Sequence, residues 1–430
     1  MSKSILEIDV SDLSRMTHPR GGGEFTDEQG KVVKKHFWYV IDKGVCPICG
    51  KGGKKNNWCE VRDDGMAVIC NHDLSGESIY GEDVYPTRMK QGFNHYFGKK
   101  SNISVKPVKF NNIPTIKQLP LADASTRDIV YRLVLKYYPL VEKDRENLLA
   151  RGLNNEDVDG KLFGSLVSTK PIDRWSKIFA ENNLPSDIWK GVPGFAEQVF
   201  GDKTLVSFGY SSLTYEKDGK RVNSLKDGDS MLMVPYRNNS LQIVGIQLRS
   251  ANYTGNGSKY FWVSSSSENN GASVSQEVNF ALPTAGMKRL EQQDGKLSTK
   301  TVWLTEGGLK SEVAVRQLVN IATDITKLPN QEDKLARFLD DYGLTVIAVA
   351  GTAVWRKFID VLQESQVKRV IVAYDSDWKT NETVAARRNE LIEALRIMDV
   401  TLIVADWDGS NGKGIDDLLA NGYWPSLETL

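Results

Sequence analysis

At 430 residues the chain is too long for one ordinary domain, and two to four are expected. Its 40% apolar and 26% charged residues are those of a globular protein with material for real cores. The 55 basic residues balance the 55 acidic ones, so no global field marks a nucleic-acid binder and any such affinity must come from local patches. No segment resembles a signal peptide or approaches the ~20 apolar residues of a membrane span, which predicts a cytoplasmic chain without membrane contact.

Residues 1–98 read as a zinc-binding module. A Gly-rich polar segment, Lys31, Lys34, Lys35 and the apolar run Phe37–Ile41 precede four cysteines, all of which fall between Cys46 and Cys70. In a reducing cytoplasm that clustering favours a metal over a disulfide framework. Cys46-Pro-Ile-Cys49 presents two thiolates from one turn. Cys59 and Cys70 flank a strand, an Asp63-Asp64-Gly65 turn and a second strand, a hairpin that would bring both sulfurs to the first pair and close a tetrahedral Zn²⁺ site. His72 is the alternative fourth ligand; Cys59 is favoured. Between the pairs stand Lys51, Lys54, Lys55 and Trp58, where cations beside an aromatic face suit a single strand as well as an ordinary solvated loop.

Residues 99–124, rich in Lys, Pro, Ser and Asn, read as a linker. Residues 125–190 form a helical region: Ile129, Leu133, Leu140 and Leu148 recur at helical spacing up to Gly152, and a second helix is expected near Trp175–Asn183. Packing explains this region without chemistry. Residues 191–295 change to short strands and turns, a basic mixed α/β subdomain. Met231–Arg237 and Gln242–Arg249 are two β runs around an Asn-rich turn, and Gly257–Trp262 follows, so Arg237, Arg249 and Lys259 are expected as neighbours on one sheet. Three cations so placed could hold a triphosphate or a nucleic-acid backbone, or be solvated surface. Ser264 to Ser275 reads as a polar loop.

Residues 296–430 alternate between β and α. Strands are expected at Thr301–Glu306, Leu344–Ala350, Val370–Tyr374 and Val400–Ala405. Helices are expected at Leu309–Val319, Trp355–Gln363, Glu382–Leu395 and Asp416–Leu419. Strands separated by such helices imply a parallel sheet. Carboxylates stand at or beyond the strand ends: Glu306 before Gly307-Gly308, then Asp375 and Asp377, then Asp416 and Asp417. That edge is where open α/β sheets bind ligands, and clustered carboxylates there read as a Mg²⁺ site. Asp375 and Asp377, two apart, project the same way if strand geometry continues.

Glu306-Gly-Gly-Leu-Lys310, Gly351-Thr352, Asp375-Ser-Asp377 and Ile415-Asp-Asp-Leu418 together resemble the successive motifs of a Toprim domain, over roughly 120 residues. With the N-terminal cysteine module, Val234-Pro-Tyr-Arg237, Gly245 to Arg249 and Lys259-Tyr260 ahead of it, the order is similar to that of bacterial replicative DNA primases. It looks closest to the Toprim-like primases of plasmids and phages. Lys310 departs from the family, whose replicative members usually carry an acid there, and Ile-Asp-Asp replaces Asp-Pro-Asp.

The resemblance implies an α/β protein: an N-terminal zinc ribbon, a helical and mixed α+β middle, and a C-terminal Toprim domain that synthesises primers on single-stranded DNA from nucleoside triphosphates. Attack of a 3′-hydroxyl on an α-phosphate would use two Mg²⁺ or Mn²⁺ ions. Glu306, Asp375 and Asp377 would hold them, with Asp416 or Asp417 completing the set and Glu306 as ligand or proton acceptor. Arg249 and Lys259 would bind the triphosphate, Arg237 the template or nucleotide, and Lys310 joins these cations. The zinc module, with Lys54, Lys55 and Trp58, would contact the template. The resemblance implies a replicative helicase as partner, in trans or on a longer chain; Gly412-Lys413-Gly414 is not part of a P-loop, so this sequence is not expected to be the motor itself. A metal-dependent Toprim nuclease, or a non-catalytic adaptor binding single strands, are the competing readings.

Overall fold

The structure, a computed structural model, describes residues 117–167, 174–200, 202–209, 214–217, 220–223, 229–250, 259–266, 268–292 and 297–430. It also describes 7–8, 14–15, 23–26, 32–36, 38–41, 46–49, 59–62, 66–70, 77–78, 82–86, 92–97 and 104–105. Lys51, Lys54, Lys55, Trp58 and His72 lie outside the described residues.

The chain is mixed α/β. Near its N-terminus a six-stranded sheet runs in the order Ser14–Arg15, Trp38–Val40, Cys59–Arg62, Ala67–Cys70, Phe93–Tyr96, Asp83–Pro86, antiparallel throughout. The expected cysteine hairpin is its centre, with Cys59 directly opposite Cys70. Tyr39, Ile41, Val61, Val68 and Phe97 pack around the cysteines, so the hairpin sits in a wider sheet than a bare ribbon.

In the middle region Pro139 divides the helical block into Ala124–Tyr137 and Glu142–Ala150, because a proline ring cannot continue a helix. Asp123 caps the first helix by accepting from the Thr126 amide. That helix lays Val130, Tyr131 and Val134 on a four-stranded antiparallel sheet ordered Gly164–Leu166, Met231–Arg237, Ile243–Arg249, Tyr260–Trp262. The Ser-rich stretch is not an open loop: Ser265, Ser266 and Glu268 are buried, and Gly271–Ala272 pairs with Lys117–Leu119. The reason is local: the Ser265 hydroxyl accepts from the amides of Gly194 and Ala272, which lets polar backbone be buried.

The C-terminal sheet has six strands ordered Asn279–Ala281, Val346–Val349, Thr301–Glu306, Arg369–Val372, Thr401–Asp406, Ser426–Thr429. The inner four are parallel, as their alternation with helices requires, and the two edges are antiparallel. One face packs Val302, Leu304, Val370 and Val372 against Phe358 and Leu391; the other packs Trp303 and Ile371 against Ala314, Leu318 and Leu418. The helix Gln331–Asp341 and both antiparallel edges were not expected. The helix buries only Phe338 in an otherwise polar segment, and so shows little apolar periodicity.

Tyr236, Val234, Leu309 and Val313 share one apolar cluster, which fastens the middle sheet to the helix Gly308–Ile325. Beside it the Lys161 ammonium is fully enclosed, donating to Glu312 Oε2 at 2.5 Å and to the Leu282 carbonyl at 2.7 Å. Among the described residues no helix is long and apolar enough to cross a membrane.

Candidate active site

Parallel strands ending at one edge bring together residues far apart in sequence. Glu306 ends its strand, the chain turns at Gly307, and the helix Gly308–Ile325 begins at once. Gly308 permits this packing: a Cβ there would lie 2.6 Å from the Tyr236 ring. The Tyr236 hydroxyl accepts from the Gly308 amide at 2.9 Å and donates to Gln247 Oε1 at 2.8 Å, which ties the turn after Glu306 to the middle sheet.

One turn into this helix, Lys310 reaches back over the edge. Its ammonium lies 2.6 and 2.5 Å from the two oxygens of Asp375 and 3.5 Å from Glu306 Oε1. Lys413 contacts Asp377 Oδ2 at 2.9 Å and Asp375 Oδ2 at 3.6 Å. Asp416, at the start of the helix Ile415–Ala420, turns inward and is 2% exposed, whereas Asp417 faces out. Gly414 allows the approach, since a Cβ there would meet Asp416 Oδ1 at 2.4 Å and Asp375 Oδ1 at 3.1 Å.

The electrostatics follow from burial. Desolvation, then the charges of Asp375 and Asp377, raise Glu306 to about 7 against the pull of Lys310. Desolvation and then Asp417 raise Asp416 to about 6. Burial disfavours the Lys310 ammonium, but Asp375 and Glu306 outweigh it and hold Lys310 above its ordinary value.

Asp377 Oδ1 and Asp416 Oδ1 are buried without a hydrogen-bond partner. Idle carboxylate oxygens are costly to bury, and a hard divalent cation with oxygen ligands is the group that answers them. The acids do not converge further. Among the described residues, the cysteines are the single group of three or more His, Cys, Asp or Glu ligands near enough together for one ion.

Asp416, Asp417 and Lys413 line a cleft of about 510 Å³ whose other wall holds Asn147, Arg151 and Arg249. Arg151 comes within 3.9 Å of Asp416 Oδ2, and Arg249 is steadied by Asn147 Oδ1 at 3.0 Å. Burial, then repulsion from Arg151, Arg249, Lys310 and Lys413, lowers the Lys259 ammonium below its ordinary value. Five cations thus crowd one region.

Arg237 is not among them. It is 1% exposed, donates to the Lys161 carbonyl at 2.6 Å, and is held below the usual arginine range by burial. The strand register points it into the joint between the sheets, which corrects its expected place on the nucleotide or template. Arg151 and Lys413 were not expected in the site. Lys413 stands in the Gly-Lys-Gly run just before the last acids, a signal that was available; Arg151 has no local signal, being brought by the fold.

At the other end of the chain, the Sγ atoms of Cys46, Cys49, Cys59 and Cys70 all lie within 4.8 Å of one another, with 3.8 Å between Cys49 and Cys59 and 3.7 Å between Cys59 and Cys70. A tetrahedron with ~2.3 Å zinc–sulfur bonds has edges of about 3.8 Å, so the set fits zinc. The neighbouring sulfurs of Cys46 and Cys70, and then burial, push the Cys59 thiol far up, so the metal would have to displace its proton.

Residues 338–423 match a family described as a domain of unknown function, DUF3854. No curated protein matches the chain. Solved structures similar to it include the Aquifex aeolicus primase with its zinc-binding and RNA polymerase domains, at 12% identity and TM-score 0.41, covering 89% of this chain and 75% of that one. The E. coli primase catalytic core follows at 14% identity and TM-score 0.39, over 68% and 75%. The DnaG primase catalytic domain bound to single-stranded DNA is similar at 16% identity and TM-score 0.39, over 70% and 80%.

Proposed function

We propose that the chain is a Toprim-type DNA primase, synthesising short primers on single-stranded DNA from nucleoside triphosphates, in the replication of a plasmid or phage beside a helicase. The observation that carries the reading is the two-walled cleft. One wall bears Asp416 and Lys413, with Asp375, Asp377 and Glu306 beside them; the other bears Arg151 and Arg249, with Lys259 near. Acids with idle oxygens suit a metal, and crowded cations suit a polyphosphate; nucleotidyl transfer needs both.

A bound Mg²⁺ or Mn²⁺ would polarise the α-phosphate and stabilise charge on the reacting oxygens. Asp377 and Asp416 would hold it through their idle oxygens, and Asp375 would fix the lysines beside it. Glu306, raised to about 7, is poised to accept the proton of the primer 3′-hydroxyl. Arg249, Arg151 and Lys259 would take the triphosphate, whose charge relieves their mutual repulsion. The Tyr236 contact would keep the Glu306 turn in register with those cations. The cysteine module, loaded with zinc, would meet the template.

The test is primer synthesis on a mixed-sequence single strand with labelled ribo- and deoxyribonucleotides and Mg²⁺ or Mn²⁺, comparing wild type with Asp375→Ala/Asp377→Ala. Short labelled products from the wild type alone support the reading. Metal-dependent cutting of the strand without synthesis would replace it with a nuclease, and neither activity with retained strand binding would leave an adaptor.

A further inference from the structure

A centre with two divalent ions places them ~3.5–4 Å apart, with shared oxygen ligands between them. Asp375, central among the acids and fully buried, is the residue placed to be shared. Both its oxygens are already taken. Lys310 holds Oδ1 at 2.6 Å and Oδ2 at 2.5 Å and turns its remaining side to Glu306 at 3.5 Å. Both Asp375 oxygens thus accept from one ammonium, with Glu306 adding a longer ionic contact.

The geometry points to a centre for one divalent cation, in which the Lys310 ammonium holds the place of a second. This rests on reading the cleft as a nucleotidyl-transfer site. A second ion would need the oxygens Lys310 occupies, and would face a positive charge in contact with the same carboxylate. Lys310 sits in the first turn of its helix, and its ammonium is held by two short contacts to the fully buried Asp375 carboxylate. Lys413 differs, being 62% exposed and free to swing away from Asp377.

What remains for a metal is the pair of idle oxygens. Asp416, 2% exposed, keeps Oδ1 buried and unpartnered beside Asp375, and Asp377, a third exposed as a side chain, keeps its Oδ1 atom buried and unpartnered. Two idle oxygens leave ligands for one ion at most. The opposite wall then makes chemical sense, because a lysine contributes one positive charge where a second divalent ion would contribute two. Arg151, Arg249 and Lys259 supply the balance that a polyphosphate needs.

The experiment counts Mn²⁺ on the full-length, zinc-loaded protein at physiological salt, by electron paramagnetic resonance of free Mn²⁺ and by calorimetry. One Mn²⁺ per wild-type chain is expected, rising to two in Lys310→Asp, which restores a carboxylate. Two ions on the wild type, or none, would overturn the proposal, as would a folded Lys310→Asp variant that still binds one. Should that variant not fold, Lys310→Met takes its place and should admit a second, weaker Mn²⁺; a count unchanged at one would again overturn it. Primer synthesis is scored separately. A chain that binds one Mn²⁺ and makes no primer loses the primase reading and keeps the one-metal centre, whereas one that binds two and primes does the reverse.

Discussion

The helix Gly308–Ile325 contributes to two lysine–carboxylate pairs from positions two residues apart, and they differ in what they leave unsatisfied. At the joint, Glu312 accepts from Lys161 through one oxygen and from Asn279 through the other, so neither is idle. At the cleft, Lys310 satisfies both oxygens of Asp375, yet Asp416 and Asp377 beside it each keep a buried oxygen with no partner. A buried pair whose carboxylate is saturated needs nothing more and serves the fold. A pair set among idle acids leaves polar groups that a ligand could satisfy, which is the arrangement the proposed site needs.

The largest test of that difference is catalytic. Asp375→Ala should lower primer synthesis at least ~100-fold, because Lys310 and Lys413 lose the carboxylate that positions them in the cleft, with the fold retained by circular dichroism. Glu312→Gln should leave the rate per folded molecule near wild type. Equal losses in both variants would erase the distinction between joint and cleft.

Stability separates them next. Lys161→Met strands Glu312 as a buried, unpaired charge and should cost about 3–5 kcal/mol in denaturant titration, with or without Mn²⁺. Lys310→Met should cost about 2 kcal/mol in the absence of metal, because Asp375 then faces Glu306 and Asp416 with only the exposed Lys413, 3.6 Å away, to compensate it. Mn²⁺ at ~100-fold above its dissociation constant should return about 2.7 kcal/mol to it. A Mn²⁺ response of the Lys161 variant larger than that of the wild type, or of the Lys310 variant no larger than it, would break the comparison.

Acid should weaken the joint before neutral pH matters to it. Asp157 is opposed by burial, but hydrogen bonds from Arg316 and Thr284 and the Lys161 charge win and hold its carboxyl below the ordinary range. A lowered folded value means a contribution fully present above the unfolded value, near 4, and lost as pH falls through the folded one. Asp157→Asn should flatten that part of the stability–pH curve measured in urea.

Much of this was legible in the sequence, and the limits have physical causes. The acid-bearing strand ends could be read because a buried parallel strand is a short apolar run and its end is marked by Gly or Asp. Arg237 was misplaced because a β run does not say which face is covered: this sheet is buried on both sides, and its arginine faces the joint. Asp416 and Asp417 could not be told apart because the choice depends on how the last helix meets Gly414. The position of Lys310 could be seen as a departure, but its contacts depend on helix geometry relative to a strand far along the chain. Arg151 shows the same limit, since its partner Asp416 comes from another layer.

The smallest expected effect is the most specific. Tyr236 sits on the middle sheet, touches no acid, and bonds through one hydroxyl to the Gly308 amide and to Gln247. Tyr236→Phe removes that oxygen alone. It should cost about 1–2 kcal/mol, since the two buried hydrogen bonds to the Gly308 amide and Gln247 are lost together. If the contact merely packs the joint, activity per folded molecule stays unchanged. If it sets the turn that carries Glu306 against the cations of the middle sheet, kcat falls several-fold while KM for the nucleotide holds, since the triphosphate still meets Arg151, Arg249 and Lys259. The split between kcat and KM therefore decides whether this tyrosine belongs with Lys161 and Glu312 or with Lys310 and Asp375.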